Sequence, residues 1–304
     1  MEGEAGRATG GGFDARAAGF DRRSAPDAAA AERIAGAVLA AGGEAAGGAT
    51  GGGAGTVLDL GAGTGALGAA LAGGCAAAGR RYLGFDLSLA MLARFHHRLG
   101  AAVPAGAPAW LLRTDATGRW PLAAASAGTL FAARVVHLLA ADAAAAERLA
   151  GEIRRVVVSG GVALLGTVRH DPESPRARLR RRLHELLAEH GFTARDADRG
   201  HRALSEALTA AGAATAGPPR VVATWSVREA PAAAVAGWRR RGHLAGRDVP
   251  EPLRTELLDE LERQALEGLA AGRYDAAGAQ GRSASESIER FEITTIRLGV
   301  EHRA

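Results

Sequence analysis

The chain has 304 residues, 47% of them hydrophobic and only 4% aromatic, enough for a full α/β core built mainly from Leu, Val and Ala. All 37 basic residues are Arg, so the calculated isoelectric point near 10.3 reflects guanidinium basicity, while the formal net charge is only +4, too little to indicate a nucleic-acid partner by itself. Apolar runs fall short of the roughly 18 to 20 residues of a membrane span, and a single cysteine, Cys75, excludes an internal disulfide and a cysteine-rich zinc site.

Residues 1–12 are Gly-rich and polar with no apolar run, which predicts a disordered tail, no secretory signal and a cytoplasmic location. A helix is predicted over Pro26–Ala41, with Ile34, Val38 and Leu39 on one face, followed by a flexible Gly/Ala/Thr linker over Gly42–Gly55 that closes an N-terminal segment of 13–55. From Thr56 short apolar runs alternate with amphipathic helices, the pattern of a parallel sheet with helices on both faces. Strands are predicted at Thr56–Leu60, Arg81–Phe85, Ala109–Arg113, Thr129–Val135 and Val162–Val168. Helices are predicted near Ala66–Ala72, Leu89–Leu99 and Ala143–Val157. Ser88 is placed to cap the second, which presents Leu92, Phe95 and Leu99 on one side; Leu149, Ile153 and Val156 do the same in the third. Regular alternation then stops. Helices at Arg176–His190 and Arg202–Ala211, a strand at Arg220–Val227, helices at Ala232–Arg241 and Pro252–Ala271, and a last strand at Arg290–Leu298 complete a seven-stranded α/β fold.

The segment Val57-Leu58-Asp59-Leu60-Gly61-Ala62-Gly63-Thr64-Gly65 carries the most information. A strand ends in an acid and runs into a turn whose glycines admit a ligand to backbone contact. Gly61, Gly63 and Ala66 alone also satisfy a dinucleotide pattern. Asp59 adds to this: a pyrophosphate is repelled by its carboxylate, whereas an ammonium group is attracted. Asp86, in Phe85-Asp86-Leu87-Ser88, ends the next strand and suits two ribose hydroxyls, a need shared by NAD and S-adenosylmethionine. Asp115, in Thr114-Asp115-Ala116, follows the third strand and suits an exocyclic adenine amine.

These residues resemble the class I S-adenosylmethionine-dependent methyltransferases, in particular their small-molecule branch, over about Thr56 to Val168. The resemblance implies that Asp59, Gly61, Ala62, Gly63 and Gly65 hold the methionine end of S-adenosyl-L-methionine, that Asp86 and Leu87 hold the ribose, and that Asp115 and Ala116 lie beside adenine. It also places Arg134, in Ala133-Arg134-Val135-Val136-His137, under the cofactor. Glu152–Gly161 looks like the helix and turn before strand five, with Ser159 where the family has Pro. The implied activity is methyl transfer to a small-molecule acceptor such as a secondary metabolite, with an RNA or protein methyltransferase, an NAD(P)-dependent oxidoreductase and a non-catalytic binding protein as alternatives.

His137 follows strand four and is the candidate general base, against the plainer reading of a packed histidine. His170 and Asp171 follow strand five and read as a solvated loop. Arg176, Arg178, Arg180, Arg181 and Arg182, and later Arg239–Arg241, read as solvated helix faces paired with acids such as Glu185 and Glu189 rather than an RNA-binding stripe. The core is expected over 56–171, with the rest of the fold over 172–304. Helical insertions near 172–219 and 230–273 are expected to cap the substrate, because Trp238, Leu253, Leu257, Leu258, Leu261 and Leu266 need an apolar surface. Trp225, Trp238 and Tyr274 are candidates for lining a substrate cavity.

Overall fold

The computed structural model describes residues 14, 17, 21, 25–46, 53–193, 196, 198–210, 214–229, 231–240, 243–270 and 285–299. The expected tail, part of the linker, Arg241 and Tyr274 lie outside them. In chain order the elements are α1 (Ala28–Ala46), β1 (Thr56–Leu60), α2 (Gly68–Ala77), β2 (Arg81–Asp86), α3 (Leu89–Ala102), β3 (Ala109–Arg113), β4 (Ala127–Ala133), α4 (Val136–Leu139), α5 (Ala143–Val156), β5 (Val157–Arg169), α6 (Pro175–Glu189), α7 (Arg199–Thr209), β6 (Ala214–Ala216), β7 (Arg220–Glu229), α8 (Pro231–Arg239), α9 (Glu251–Ala270) and β8 (Ser285–Leu298).

The strands form one sheet in the order β3-β2-β1-β4-β5-β8-β6, with β7 paired to β8. The first five are parallel, and β6 runs antiparallel to β8. All seven expected strands are present. The eighth, β6, is the three-residue Ala-Thr-Ala, too short and too weakly apolar to leave a periodic signal.

Other boundaries move for identifiable reasons. The predicted linker from Gly42 is wrong at its start, because α1 continues to Ala46 and Gly42 is buried against the Thr129 and Arg80 side chains. Strand β4 stops at Ala133 instead of Val135, since Arg134 takes a left-handed φ of 59° and turns the chain into α4. Helix α5 ends at Val156 and β5 begins at once, five residues before the expected Val162. The expected cap is present, Ser88 Oγ accepting from Met91 N (3.1 Å) at α3, and the structure adds one at α5, where Asp142 Oδ1 accepts from Ala145 N (2.8 Å).

The chain divides into two compact units. The first comprises Met1–Val168, Asp198–Ala223 and Phe291–Ala304. Its core gathers Leu58, Leu60, Phe85, Leu130, Leu149, Ile153 and Val156 with Leu204 and Leu208 of α7, so α7 belongs to this unit and not to a cap. The second comprises Arg169–Ala197 and Thr224–Arg290. Here Leu179, Leu183, Leu186 and Leu187 of α6 pack with Val235 and Trp238 of α8 and Leu257, Leu258 and Leu261 of α9. The apolar surface those helices need is thus supplied largely by α6, whereas Leu266 is 55% exposed. Trp225 and Trp238 are each 7% exposed, which is core packing and not the lining of an open cavity. His170 lies in an exposed loop as expected, and its Nδ1 is 2.5 Å from Oε2 of the buried Glu289. No helix among the described residues is long and apolar enough to cross a membrane.

Candidate cofactor site

The site is built at the carboxyl ends of adjacent parallel strands in the first unit. Asp59 lies opposite Gly84 across β1 and β2. A Cβ on Gly84 would stand 2.9 Å from Leu111, 3.1 Å from the Tyr82 hydroxyl and 3.2 Å from Ala62. Glycine therefore opens the lane through which Tyr82, two residues earlier on the same face, reaches Asp59, and its hydroxyl donates to Oδ2 at 2.6 Å. Asp59 is only 3% exposed. Burial pushes its carboxyl up to about 7, against the opposing effect of the Tyr82 hydrogen bond and with a smaller upward push from Asp86. A cation brought to this carboxyl favours its ionised form, which an ammonium group does and a pyrophosphate does not.

The glycines of the following turn do different work. Gly61, Gly63 and Gly65 have φ of 72°, 57° and 78°. A Cβ on Gly61 would lie 2.6 Å from Val135, and one on Gly65 would lie 2.2 Å from the Phe95 ring, so protein closes over both. At Gly63 the nearest atom is a backbone oxygen at 3.9 Å. Room at the middle glycine is what a ligand-approaching turn requires.

Asp86 joins this turn to the next strand. Its Oδ2 accepts from Gly63 N and its Oδ1 from Ser88 N, both at 2.8 Å. Each oxygen retains acceptor capacity for a hydroxyl. Burial raises its pKa, and the backbone hydrogen bonds from Ser88, Gly63 and Leu87 work against that rise. Ala62 N donates to Phe85 O (2.8 Å) and Thr114 N to Asp86 O (2.9 Å), drawing the three loops together. The Leu87 carbonyl accepts from Arg113 Nε at 3.2 Å.

Asp115 is exposed, and its Oδ1 closes a turn with Thr117 N (2.9 Å) and Thr117 Oγ1 (2.7 Å), leaving Oδ2 for an outside donor. The Ala116 carbonyl is taken by Trp120 Nε1 at 3.1 Å. Arg134 donates its backbone N–H to Gly166 O at 2.9 Å, and its left-handed φ places a strained residue at the end of β4, next to the Val135 that covers Gly61. His137 sits on α4 with an accessible side chain. Burial by its surroundings and the Arg134 guanidinium both lower its pKa below the ordinary 6.5, so its imidazole is uncharged at neutral pH.

Three contributors escape the motif reading, and Ser88 has a task beyond the expected cap. Tyr82 orients Asp59, and Ser88, besides capping α3, braces Asp86 through its backbone N–H. Asp14 accepts from the Ser88 hydroxyl and from Ala90 N (3.2 Å). Asp21 accepts from the Thr64 hydroxyl of the glycine turn and pairs with Arg98 at 2.7 Å, which also donates to Thr64 O at 3.1 Å. The signal for this pair is the Gly-Phe-Asp triplet, which stands at Gly12–Asp14 and, seven residues on, at Gly19–Asp21, and again at Gly84–Asp86.

The donor set fits S-adenosylmethionine: a buried acid for the ammonium, an open glycine turn, and an acid with spare acceptor sites for the ribose. Residues 57–161 match the family described as a methyltransferase domain. None of the curated proteins compared matches the sequence. Similar solved structures include geranyl diphosphate C-methyltransferase from Streptomyces coelicolor A3(2), 13% identical over 87% of this chain and 78% of that one, with a TM-score of 0.42. Another is a methyltransferase of Bacillus halodurans C-125, 15% identical over 86% and 99%, with a TM-score of 0.45. A third, from Anaeromyxobacter dehalogenans, is 22% identical over 86% and 95%, with a TM-score of 0.42. Residues 57–161, with their glycine turn and their acids at successive strand ends, are thus similar to a methyltransferase domain.

Proposed function

We propose that the chain transfers the methyl group of S-adenosylmethionine to a small-molecule acceptor, with Asp59 and the turn Gly61–Gly65 taking the methionine end, Asp86 and Leu87 the ribose, Asp115 and Ala116 the adenine side, and Arg134 the floor of the site. The observation that carries this reading is the glycine turn bounded by two acids with distinct tasks: Asp59, buried and near neutrality until a cation arrives, and Asp86, hydrogen-bonded yet with acceptor sites to spare.

The cofactor supplies an electrophilic methyl group on a sulfonium, so positioning accounts for much of the rate and the protein's residues need do little covalent work. With the cofactor bound, a bond from carbon to the acceptor atom would form as the bond to sulfur breaks, and the protein's part would be to hold the two in line. An acceptor hydroxyl or amine gives up its proton, for which the uncharged His137 imidazole on α4 is the base in this proposal. The second unit is assigned to choosing the acceptor, because none of its residues belongs to the motifs of the cofactor loops. No nucleic acid takes part: the Arg side chains on α6 and α8 that pair with Glu and Asp do not form a continuous basic stripe. A cytoplasmic location belongs to the same proposal, supported by a fold whose lone cysteine, Cys75, is buried and free.

The test is titration calorimetry with S-adenosylhomocysteine and with NAD, followed by transfer of tritiated methyl to a panel of small hydroxyl, amine and carboxylate acceptors. Binding of S-adenosylhomocysteine with no heat from NAD supports the reading. Preference for NAD sinks it.

A further inference from the structure

The glycine turn is shaped by residues that cannot hold it. Gly63 and Gly65 take left-handed φ values without strain, but glycine also has the most backbone freedom to lose when a ligand orders it. Between them stands Thr64, which alone in Gly63–Gly65 has a side chain to grip. Thr64 is only 2% exposed, and two residues from outside the turn take hold of it. Its hydroxyl donates to Asp21 Oδ1, while Arg98 Nη1 donates to its carbonyl at 3.1 Å and to its Oγ1 at 3.3 Å. Arg98 Nη2 pairs with Asp21 Oδ2 at 2.7 Å, which closes a ring of charge-assisted hydrogen bonds around the turn.

The loop that carries Asp86 is held in a matching way. Ser88 is fully buried; its N–H donates to Asp86 Oδ1, and its hydroxyl oxygen accepts from Met91 N. The hydroxyl proton still needs an acceptor. Asp14 supplies one, and it also accepts from Ala90 N at 3.2 Å, at the N-terminus of α3. Asp14 and Asp21 are seven residues apart, and their targets Ala90 and Arg98 on α3 are eight apart, a rise of about 12 Å. Water-exposed charge pairs contribute little to stability by themselves. These two carboxylates instead reach the neighbour of Gly63 and the residue that braces Asp86.

We propose that Asp14 and Asp21 are positioning residues for the cofactor, on the reading that these loops hold S-adenosylmethionine. Asp21 sets the glycine turn for the amino-acid end through Thr64 and Arg98, and Asp14 sets Asp86 for the ribose through Ser88. Loops ordered in advance leave less entropy to be lost when the ligand binds.

The experiment measures S-adenosylhomocysteine binding to the full chain by calorimetry, and 5′-methylthioadenosine by competition against it. Methylthioadenosine keeps the ribose and adenine and lacks the amino-acid end. Asp27→Ala is the control, because Asp27 caps α1 by accepting from Ala30 N at 2.7 Å; its loss should lower the melting temperature and leave both affinities within about twofold. Asp21→Ala should weaken S-adenosylhomocysteine about tenfold or more and methylthioadenosine less than about twofold. Asp21→Asn, which keeps an oxygen for the Thr64 hydroxyl, should lose less. Asp14→Ala should weaken both ligands about fivefold or more. Losses no larger than those of Asp27→Ala overturn the role of the residue concerned. Equal losses of the two ligands in Asp21→Ala overturn its assignment to the amino-acid end. If an Ala variant does not fold, the Asn variant at the same position is judged by the same comparison. An unaltered chain that fails to bind S-adenosylhomocysteine overturns the cofactor reading itself, and the positioning roles with it.

Discussion

The cofactor loops of the first unit and the helices of the second are held together by opposite kinds of constraint. In the loops single atoms decide: Gly65 has no room for a Cβ against Phe95, Gly84 keeps open the lane between Tyr82 and Asp59, and Asp86 ties one loop to another through two backbone N–H groups. In the helical unit the stabilising contacts are leucines against leucines, where one apolar side chain of similar volume serves nearly as well as another. The first arrangement leaves residue types at fixed intervals that point to one chemistry. The second leaves only a period.

That contrast can be broken or sharpened in five ways, and the largest effect is expected in the chemical step. His137→Ala should lower methyl transfer about 100-fold to 10,000-fold, the range for a general base, without altering S-adenosylhomocysteine affinity. An unchanged turnover rate removes His137 from the reaction. Next is the helical core: Leu261, fully buried in α9, should cost about 2 to 5 kcal/mol when replaced by Ala, seen as a lower denaturation midpoint. If the two units have separate tasks, cofactor affinity in Leu261→Ala stays within about twofold of the original, which is about 0.4 kcal/mol. An equal loss of affinity and stability shows instead that they melt as one body.

Asp59 gives the third effect, with a defined sign. Its folded-state pKa, about 7, is raised from an ordinary 3.8, so between those values the folded chain keeps a proton that the unfolded chain has lost. The stability attached to this group is fully present below about pH 4 and is lost as pH rises through about 7, a change of at most about 4 kcal/mol. Asp59→Asn should therefore flatten the pH dependence of unfolding over that window. S-adenosylhomocysteine affinity should rise with pH through neutrality in the original chain and not in the variant; parallel pH profiles for the two argue against an ammonium partner. Asp86→Ala comes fourth, weakening S-adenosylhomocysteine binding by about 1.5 to 3 kcal/mol, as expected for a hydrogen bond to a charged group. Full affinity in a folded variant removes Asp86 from the ribose. The smallest is Arg182→Gln, whose ion pairs on α6 are water-exposed and should contribute no more than about 1 kcal/mol to stability. A larger drop in melting temperature places this charge network among the supports of the helical unit.

The sequence is legible where close approach restricts the choice of residue. Gly61, Gly63 and Gly65 stand at φ values that a side chain resists, and the strands around them alternate with helices at the ordinary spacing, so the loop, the parallel strands and the roles proposed for Asp59 and Asp86 are read from residues at strand ends, whereas the strand order is seen only in the structure. It is illegible where the decisive contact joins distant residues. Nothing near Ser88 announces Asp14, and nothing near Thr64 announces Asp21, because a carboxylate 74 or 43 residues away does the pairing. The ends of β4 and α5 are misread for a related reason: the left-handed turn at Arg134 and the immediate start of β5 after Val156 come from pairing across the sheet, as in the Arg134 N–H to Gly166 O bond, and not from local preference. Leu266 reads as core by its period and is exposed all the same.

The hydrogen bond from the Gly63 amide to Asp86 has a consequence for how a ligand is assembled on this surface. The peptide that would face the amino-acid end of the cofactor is tethered to the carboxylate that would face its sugar, so neither half of the site can adjust without moving a partner of the other. Adenosine and methionine, offered as separate fragments, would then meet a single pre-tensioned element. Whichever arrives first settles the turn for the second, and the whole cofactor gains over its pieces from that shared ordering as well as from being one molecule.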